Sequence, residues 1–233
     1  MRAEVQLLGP VRILRDGREQ AVGSARQRAV LAVLAINAGR VVGKDELLWA
    51  VWGQPRPASA MSNLYSYIAG LRRVLDVETA PAGYVLGIER AQVDARRFEQ
   101  LYWRGQVAKD DRQAEETLVR ALELWRGDAL SKVPGPFAEG ERPRLAERRL
   151  KTMEELSRVR LRRGAAPVAE LEHMVTCHPQ RPVFRELLMK ALALSGRRAE
   201  ALRLFRDTMH PGPALRRIQA QVLAGEDVYD ESA

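Results

Sequence analysis

The stretch ASAMSNLYSYIAGLRRVLD (58–76) decides the fold, because it divides into two contrasting faces when it is read as a helix. At about 100° per residue, one side is apolar, and the opposite side is small and polar and ends in arginines. The apolar side comprises Leu64, Ile68, Leu71 and Leu75; the polar side comprises Ser62, Ser66, Ala69 and Arg73, with Tyr65 and Arg72 along one edge. Such a face suits a helix in a DNA groove, since small residues permit close approach and arginine binds phosphate or guanine. An ordinary surface helix with a solvated polar face has the same pattern.

The segments around this helix predict its place in a fold. Short β-favouring runs, EVQLLG (4–9) and VRILRDG (11–17), surround a hairpin signal at Asp16–Gly17, and a third strand is expected around 19–22. Helices over 25–38 and 41–53 follow, and after 58–76 comes a turn and a strand over 84–88. Strands, three helices and a closing hairpin predict a winged helix-turn-helix over 1–92, with a small N-terminal antiparallel sheet. The helix in 58–76 then occupies the position of the helix that enters the DNA major groove and contacts the bases.

The candidate DNA-binding residues lie on this helix and in the first turn of the helix over 25–38. Arg26 and Arg28 oppose the dipole at that helix start, which indicates either a phosphate contact or solvated side chains. We expect Arg73 to contribute most to reading, because it lies opposite the apolar stripe. The full predicted set comprises Ser62, Asn63, Tyr65, Ser66 and Arg73 for reading, with Arg26, Arg28 and Arg72 on phosphates.

Residues 93–233 form a nearly all-helical pattern, which we interpret as a second domain. GAAPVAELEHMVTCHP (164–179) and GRRAEALRLFRDTMHP (196–211) align without gaps at a 32-residue offset. A period in the low thirties is typical of a tetratricopeptide-like helical array, which presents a concave surface to partner proteins. Asp94 is expected to cap the first of these helices. The proline- and glycine-rich segment 131–143 is expected to be irregular, with a long helix following over 144–163.

Composition is that of an ordinary globular protein with a surplus of positive charge. The 233 residues are 46% hydrophobic and 29% charged, and the net charge is +8, which permits a polyanionic partner without requiring one. No apolar run reaches the roughly 18 residues of a membrane span, so we expect a cytoplasmic protein without a membrane partner. The lone Cys177 lies in an apolar helical pattern and is expected to be buried, and no histidine spacing indicates a metal site.

The sequence favours a binding protein over an enzyme. It lacks a phosphate-binding GxxxxGK[ST] loop, an HExxH motif and a GxSxG motif, so neither a catalytic site nor a cofactor is expected. Trp103 and Trp125 are interpreted as core of the helical domain, because their neighbours are apolar at helical spacing. Four arginines near the end of the long helix are interpreted as a solvated helix end rather than a DNA site: Arg158, Arg160, Arg162 and Arg163.

Motifs along nearly the whole chain resemble those of one family, the small Streptomyces antibiotic regulatory proteins, which are related to AfsR-type activators. They are LLGPVRI (7–13), ARQRAVLAVLAINAGRVVGKDELLWAVWG (25–53), LRRVL (71–75), AGYVL (82–86), VDARRFEQL (93–101), ALELWRGDAL (121–130), RLAERRL (144–150), ALALSGRRAEAL (191–202) and HPGPALRRI (210–218). The resemblance implies an OmpR-type winged helix over 1–92 and a bacterial transcriptional activator domain over 93–233. It also implies an activator of secondary-metabolite genes that binds promoter direct repeats and recruits RNA polymerase through its sigma factor. Whether two copies dimerise on the DNA is left open by the resemblance.

Some positions depart from the family pattern and keep a second hypothesis open. Met61 and Ser62 replace a usual Arg-Asn pair, Gly70 replaces an arginine, and the hairpin run TAPAGY (79–84) lacks the usual basic residue. Each lost cation removes a contact that contributes to DNA affinity. The alternative is a degenerate member with weakened or lost DNA binding, which acts as a protein-interaction adaptor through its helical domain.

Overall fold

A computed structural model describes residues 3–226, in two compact units. The first unit takes in residues up to 103 together with 120–150, and the second takes in 104–119 together with residues from 151 onward. This partition follows packing and not chain order, so the boundary predicted between residues 92 and 93 stays a prediction. The predicted fold class is confirmed: a winged helix with small antiparallel sheets precedes an all-helical, tetratricopeptide-like part.

An antiparallel meander opens the first unit. Strands β1 (Ala3–Gln6), β2 (Arg12–Arg15) and β3 (Arg18–Gln20) pair in sequence order. The turn between β2 and β3 is Asp16–Gly17, with φ angles of 50° and 79°. Positive φ at both central residues matches the turn that joins right-twisted strands, which is why Asp-Gly predicted it.

The helix-turn-helix follows as α1 (Ala25–Ile36), α2 (Lys44–Trp52) and α3 (Ala60–Leu71). The predicted start of the second helix at 41 is wrong, since Val42 and Gly43 form strand β4. Val42 pairs with Tyr84 in a second sheet of order β4-β6-β5, in which β5 is Val77–Ala80 and β6 is Gly83–Leu86. Strands β5 and β6 form the wing. A Cβ atom on Gly83 would lie 1.9 Å from the Val42 carbonyl oxygen, so this close approach requires glycine.

Helices α4 (Asp94–Gln106), α5 (Asp111–Leu122) and α6 (Pro136–Arg162) come next. Asp94 is not the predicted N-cap: it is the first residue of α4, and its buried carboxylate accepts bonds from the Leu7 and Leu8 amides at 2.6 and 3.1 Å. Arg126 Nη2 donates to the same carboxylate at 2.6 Å. Burial raises the Asp94 pKa, although these three donors oppose the rise. Asp94 therefore joins the loop after β1 to the chain after α5.

The chain after α5 extends this junction, and the predicted irregular segment 131–143 is shorter than expected. The Arg126 and Leu130 amides each donate at 2.8 Å to the carbonyls of Leu8 and Leu7. Helix α6 already begins at Pro136 and carries Pro143 in its interior. Proline removes one helical hydrogen bond, but the Arg142 guanidinium bonds the Leu130 and Val133 carbonyls and holds this turn in place.

Two tryptophan positions differ from each other. Trp125 is half-buried and packs edge-on to Phe98, with 5.3 Å between ring centroids, in the core of the first unit. Trp103 is 56% exposed, so its predicted place in a core is wrong. The Arg148 guanidinium carbon lies 4.6 Å from the Tyr102 ring centroid and 5.0 Å from that of Trp103. Helical spacing gave Trp103 apolar neighbours along the chain, but its ring stays largely exposed beside the Arg148 guanidinium.

Glu99 on α4 binds two arginines. Its carboxylate accepts from Arg96 Nη1 at 3.0 Å and from Arg144 Nη1 at 2.5 Å. Burial alone raises the Glu99 pKa, but the hydrogen bonds and charges of Arg144 and Arg96 outweigh it and hold that pKa below its ordinary value. Arg96 Nε also donates to the Ile36 carbonyl at the end of α1, at 2.8 Å. This cluster braces α4 and α6 against the helix-turn-helix.

In the second unit, the arginines near the end of α6 are ion-paired and not the solvated end that was predicted. Arg160 Nε lies 3.1 Å from Glu115 Oε1, and Arg162 Nη2 lies 2.8 Å from Asp111 Oδ1. Arg163 also pairs with Glu115, while Arg158 pairs with Glu155 on its own helix at 3.3 Å. The bonds from Arg162 hold the Asp111 pKa below its ordinary value. Arg160, Arg162 and Arg163 therefore fasten α5 to α6.

A four-helix array ends the described chain: α7 (Val168–Cys177), α8 (Pro182–Leu194), α9 (Arg198–Arg206) and α10 (Pro213–Ala224). Helices α7 and α9 fall at matching positions of the 32-residue repeat, and each successive pair packs together. His178 directly follows the last residue of α7, whereas α9 stops four residues before His210, which holds the matching position of the repeat. Cys177 is exposed, so the prediction of a buried thiol is wrong. Its Sγ lies 3.5 Å from His173 Nε2, one helical turn earlier.

Candidate nucleic-acid interface

The exposed face of α3 carries mostly short side chains and no charged residue. Leu64, Ile68 and Leu71 are buried, whereas Ser62 and Ser66 are exposed, as the periodicity predicted. Ser62 Oγ donates to the Ser59 carbonyl at 2.9 Å, and Ser66 Oγ donates to the Ser62 carbonyl at 3.1 Å. Hydroxyls that bond back to their own helix still offer oxygen lone pairs outward. The helix backbone can therefore come close to a surface that donates hydrogen bonds.

Asn63 and Tyr65 flank this face. Asn63 is half-buried, and its Nδ2 lies 3.3 Å from Ser59 Oγ, which directs the amide toward the helix start. Tyr65 is 47% exposed, and the Lys44 ammonium lies 5.7 Å from its ring centroid. A cation over an aromatic face is attracted to the ring. Lys44 was not among the predicted site residues, because only the packing of α2 beside α3 brings it to this face.

The helix is shorter than the predicted 58–76. It ends at Leu71, and the Arg73 and Val74 amides bond carbonyls three residues back in a tight turn. Glycine at position 70 weakens the last helical turn, and the chain must reverse within five residues to start β5 at Val77. Arg72 and Arg73 consequently lie in the turn after α3 and not on its exposed face.

These two arginines differ in how they are held. Arg72 Nε donates to the Val77 carbonyl at 2.8 Å, and its Nη2 donates to Thr79 Oγ1 at 2.6 Å. Its guanidinium carbon lies 6.0 Å from the Tyr84 ring centroid. Arg72 thus braces the end of α3 against the wing. Arg73 is exposed and has neither a hydrogen bond nor an ion pair with any side chain that the structure describes.

The two arginines in the first turn of α1 also have different settings. Arg28 Nη1 donates to the Gly23 carbonyl at 2.7 Å, so it is drawn back to the start of its own helix. Arg26 is exposed, and its guanidinium carbon lies 5.7 Å from the centroid of Trp52. Trp52 in turn stacks on Tyr67 of α3, with ring centroids 6.1 Å apart and planes 8° from parallel. This stack places Arg26 beside α3.

Gly70 has a packing role that the sequence did not indicate. A Cβ atom at this position would lie 2.4 Å from Gln27 Nε2. The Gln27 amide crosses α3 here and donates to the Tyr67 carbonyl at 3.3 Å. Ser24 Oγ accepts from the Gln27 backbone amide at 3.2 Å and caps α1, which fixes where the side chain begins. Gln27 therefore sets the spacing between α1 and α3.

Cations surround the face of α3 without occupying its centre. Arg26, Lys44 and Arg72 lie around it, and the wing turn at Pro81–Ala82 is exposed without a basic side chain. Such an arrangement suits phosphate contacts at the rim and hydrogen bonding at the centre. Within residues 3–226, no group of three or more His, Cys, Asp or Glu side chains is placed to hold a metal ion. None of the helices described there is long and apolar enough to cross a membrane.

Comparison with known proteins supports this organisation. Residues 18–87 match the family described as "Transcriptional regulatory protein, C terminal", and residues 93–223 match "Bacterial transcriptional activator domain". The transcriptional regulator RedD of Streptomyces coelicolor is 33% identical over 97% of this chain and 71% of its own length. The regulatory protein DnrI of Streptomyces peucetius is 30% identical over 98% of this chain and 95% of its own length. The chain belongs to the Streptomyces antibiotic regulatory protein (SARP) family of transcriptional regulators.

Longer relatives share the same arrangement. The chain is 38% identical to the regulatory protein AfsR of S. coelicolor over 97% of its own residues, but it spans only 24% of that protein. A solved structure of Mycobacterium tuberculosis EmbR, in complex with a low-affinity phosphopeptide, superposes with a TM-score of 0.86 at 31% identity. That match covers 97% of this chain and 66% of EmbR. The family resemblance read from the sequence is therefore confirmed.

Proposed function

We propose that this SARP is a sequence-specific, DNA-binding transcriptional activator of a secondary-metabolite gene cluster. It binds promoter direct repeats through α3, recruits RNA polymerase through the sigma factor, and acts in the cytoplasm as a binding protein without catalytic activity. The observation that supports this most directly is the uncharged, exposed face of α3 between Arg26, Lys44 and Arg72, beside a wing hairpin. A helix of about 10–12 Å diameter with short side chains fits the major groove, which is about 12 Å wide.

Within this proposal the predicted residues take separate roles. Ser62, Tyr65 and Ser66 face base edges, and Asn63 lies at the margin of that face. Arg26, Arg28, Arg72 and Arg73 contact phosphates or, for Arg73, a base at the end of the helix. Lys44 is added as a phosphate contact, because it lies over Tyr65.

A footprint on the promoters of neighbouring genes tests the DNA-binding role. The intact chain should protect direct repeats, and Arg73→Ala should abolish protection while Arg18→Ala, an exposed arginine on β3, leaves it unchanged. Unchanged protection by Arg73→Ala would remove Arg73 from the interface. Transcription with purified RNA polymerase holoenzyme then tests recruitment, which predicts more transcript from the protected promoter when the SARP is added.

The second candidate is an adaptor that has lost DNA binding. The wing turn without a basic residue favours it, as do Met209 and Leu223 in the helical array, which are 87% and 65% exposed. A gel shift across salt concentrations separates the two functions. Phosphate contacts give a band that weakens steeply with salt, whereas the adaptor gives no band even at low salt.

A further inference from the structure

A cavity of about 620 Å³ lies beside the turn that ends α3. Its walls come from the end of β2, from the segment between α3 and β5, and from the residues after β6. Sites for small molecules have volumes of about 300–1,000 Å³, so the cavity can hold a molecule of metabolite size.

The charged side chains that line the cavity favour an anion. Arg15, Arg72 and Arg73 line it, against one carboxylate, that of Asp76. Arg72 already donates through Nε and Nη2, which leaves Nη1. The Arg73 side chain makes no hydrogen bond or ion pair with the described residues, so its guanidinium fork is open to a ligand. Guanidinium groups bind phosphate through paired charge-assisted hydrogen bonds.

Apolar side chains complete the lining of the cavity. Leu75 and Val77 are buried, while Val74 and Ile88 are half-buried and keep part of their surface toward solvent. A site that combines an apolar wall with a few charged groups holds a ligand that has both an apolar body and a charged end. A phosphate alone would leave these apolar side chains uncovered.

We infer that this cavity binds a phosphorylated small molecule with a ring-shaped or apolar body. Its phosphate is held by Arg15 and Arg73, and its body packs on Val74 and Ile88. Because Arg73 is also a candidate DNA contact, the bound ligand competes with DNA for it. This last consequence rests on the proposed DNA-binding function, whereas ligand binding itself does not.

Calorimetric titration of the DNA-free full chain with ADP tests the site, with adenosine as the uncharged comparison. We expect ADP to bind and adenosine to give no heat. Arg15→Gln and Arg73→Gln should each weaken ADP binding about tenfold, which corresponds to about 1.4 kcal/mol. Arg40→Gln is the matched control, because Arg40 is exposed in the same unit and does not line the cavity. Thermal melts of each variant show that it is folded.

A gel shift with ADP as competitor separates ligand binding from DNA binding. Weaker DNA binding in the presence of ADP, lost in Arg15→Gln, supports both the site and the competition. ADP binding without any effect on DNA keeps the site and removes the competition. Absence of ADP binding in the millimolar range, or equal binding of adenosine, overturns the site. The site is also overturned if Arg15→Gln weakens DNA binding while ADP does not bind, since the cavity then holds a backbone phosphate of DNA.

Discussion

Replacing Asp94 by alanine should destabilise the first unit strongly, because its carboxylate is the acceptor for two buried amides. The Leu7 and Leu8 residues are both fully buried, and each amide left without a partner costs about 1–3 kcal/mol. Loss of one partner of a buried ion pair typically costs about 3–5 kcal/mol. The Arg126 side chain is 30% exposed, so water replaces part of that contact. We therefore expect a loss of about 3 kcal/mol in the free energy of unfolding.

Tryptophan fluorescence during urea unfolding measures this loss in the right unit. All four tryptophans, at positions 49, 52, 103 and 125, belong to the first unit. Asp45→Ala is the matched control, because Asp45 pairs with Arg56 at 3.3 Å but its side chain is 89% exposed. Surface pairs of this kind contribute about 0–1 kcal/mol.

A third variant sharpens the test. Asp94→Asn keeps the oxygen that accepts from Leu7 but presents an amide NH₂ to Leu8 and Arg126, so its stability should lie between those of the wild type and Asp94→Ala. If Asp94→Ala unfolds at the same urea concentration as Asp45→Ala, Asp94 does not hold the loop after β1. The junction that Asp94 makes between the loop after β1 and the chain after α5 would then contribute little to stability.

Three further predictions concern a carboxylate, a glycine and a lysine. The Glu99 pKa is lowered by Arg144, so its contribution to stability is present above the unfolded value near 4.5 and is lost as pH falls toward the folded value. Glu99→Gln should remove this pH dependence of the unfolding free energy, measured by urea titration at several pH values. An unchanged dependence of that free energy on pH would contradict the prediction. Gly70→Ala should stabilise the protein by about 1 kcal/mol in a Gln27→Ala background. It should not do so in the wild type, because there the added methyl displaces the Gln27 amide. Equal effects in both backgrounds of this double-mutant cycle would count against the contact. Lys44→Ala should lower affinity equally for promoter and random DNA, and it should reduce the slope of log K against log salt by about 0.9. An unchanged slope would place Lys44 away from phosphate.

Local patterns in the sequence were sufficient for most of the secondary structure. The apolar stripe of α3, the Asp16–Gly17 turn and the 32-residue repeat each depend on residues close in the chain, and all three are present in the structure. The exposed positions of Ser62, Tyr65 and Ser66 follow from the same periodicity. A helix period places side chains on faces without any knowledge of the neighbours that will cover them.

Contacts between distant residues were decided only by the tertiary structure. Asp94 looked like a helix cap, but its partners lie 86 and 87 residues earlier, where no local pattern reveals them. Gly70 looked like a lost cation, yet it leaves room for the Gln27 side chain from α1. Lys44 reaches Tyr65 only because α2 packs beside α3. Local propensity and periodicity therefore determined the helices and strands of this SARP. The packing of separate elements determined which side chains hold those elements together and which side chains surround α3. The physical reason is that burial and hydrogen bonding act between atoms that are close in space, whether or not they are close in sequence.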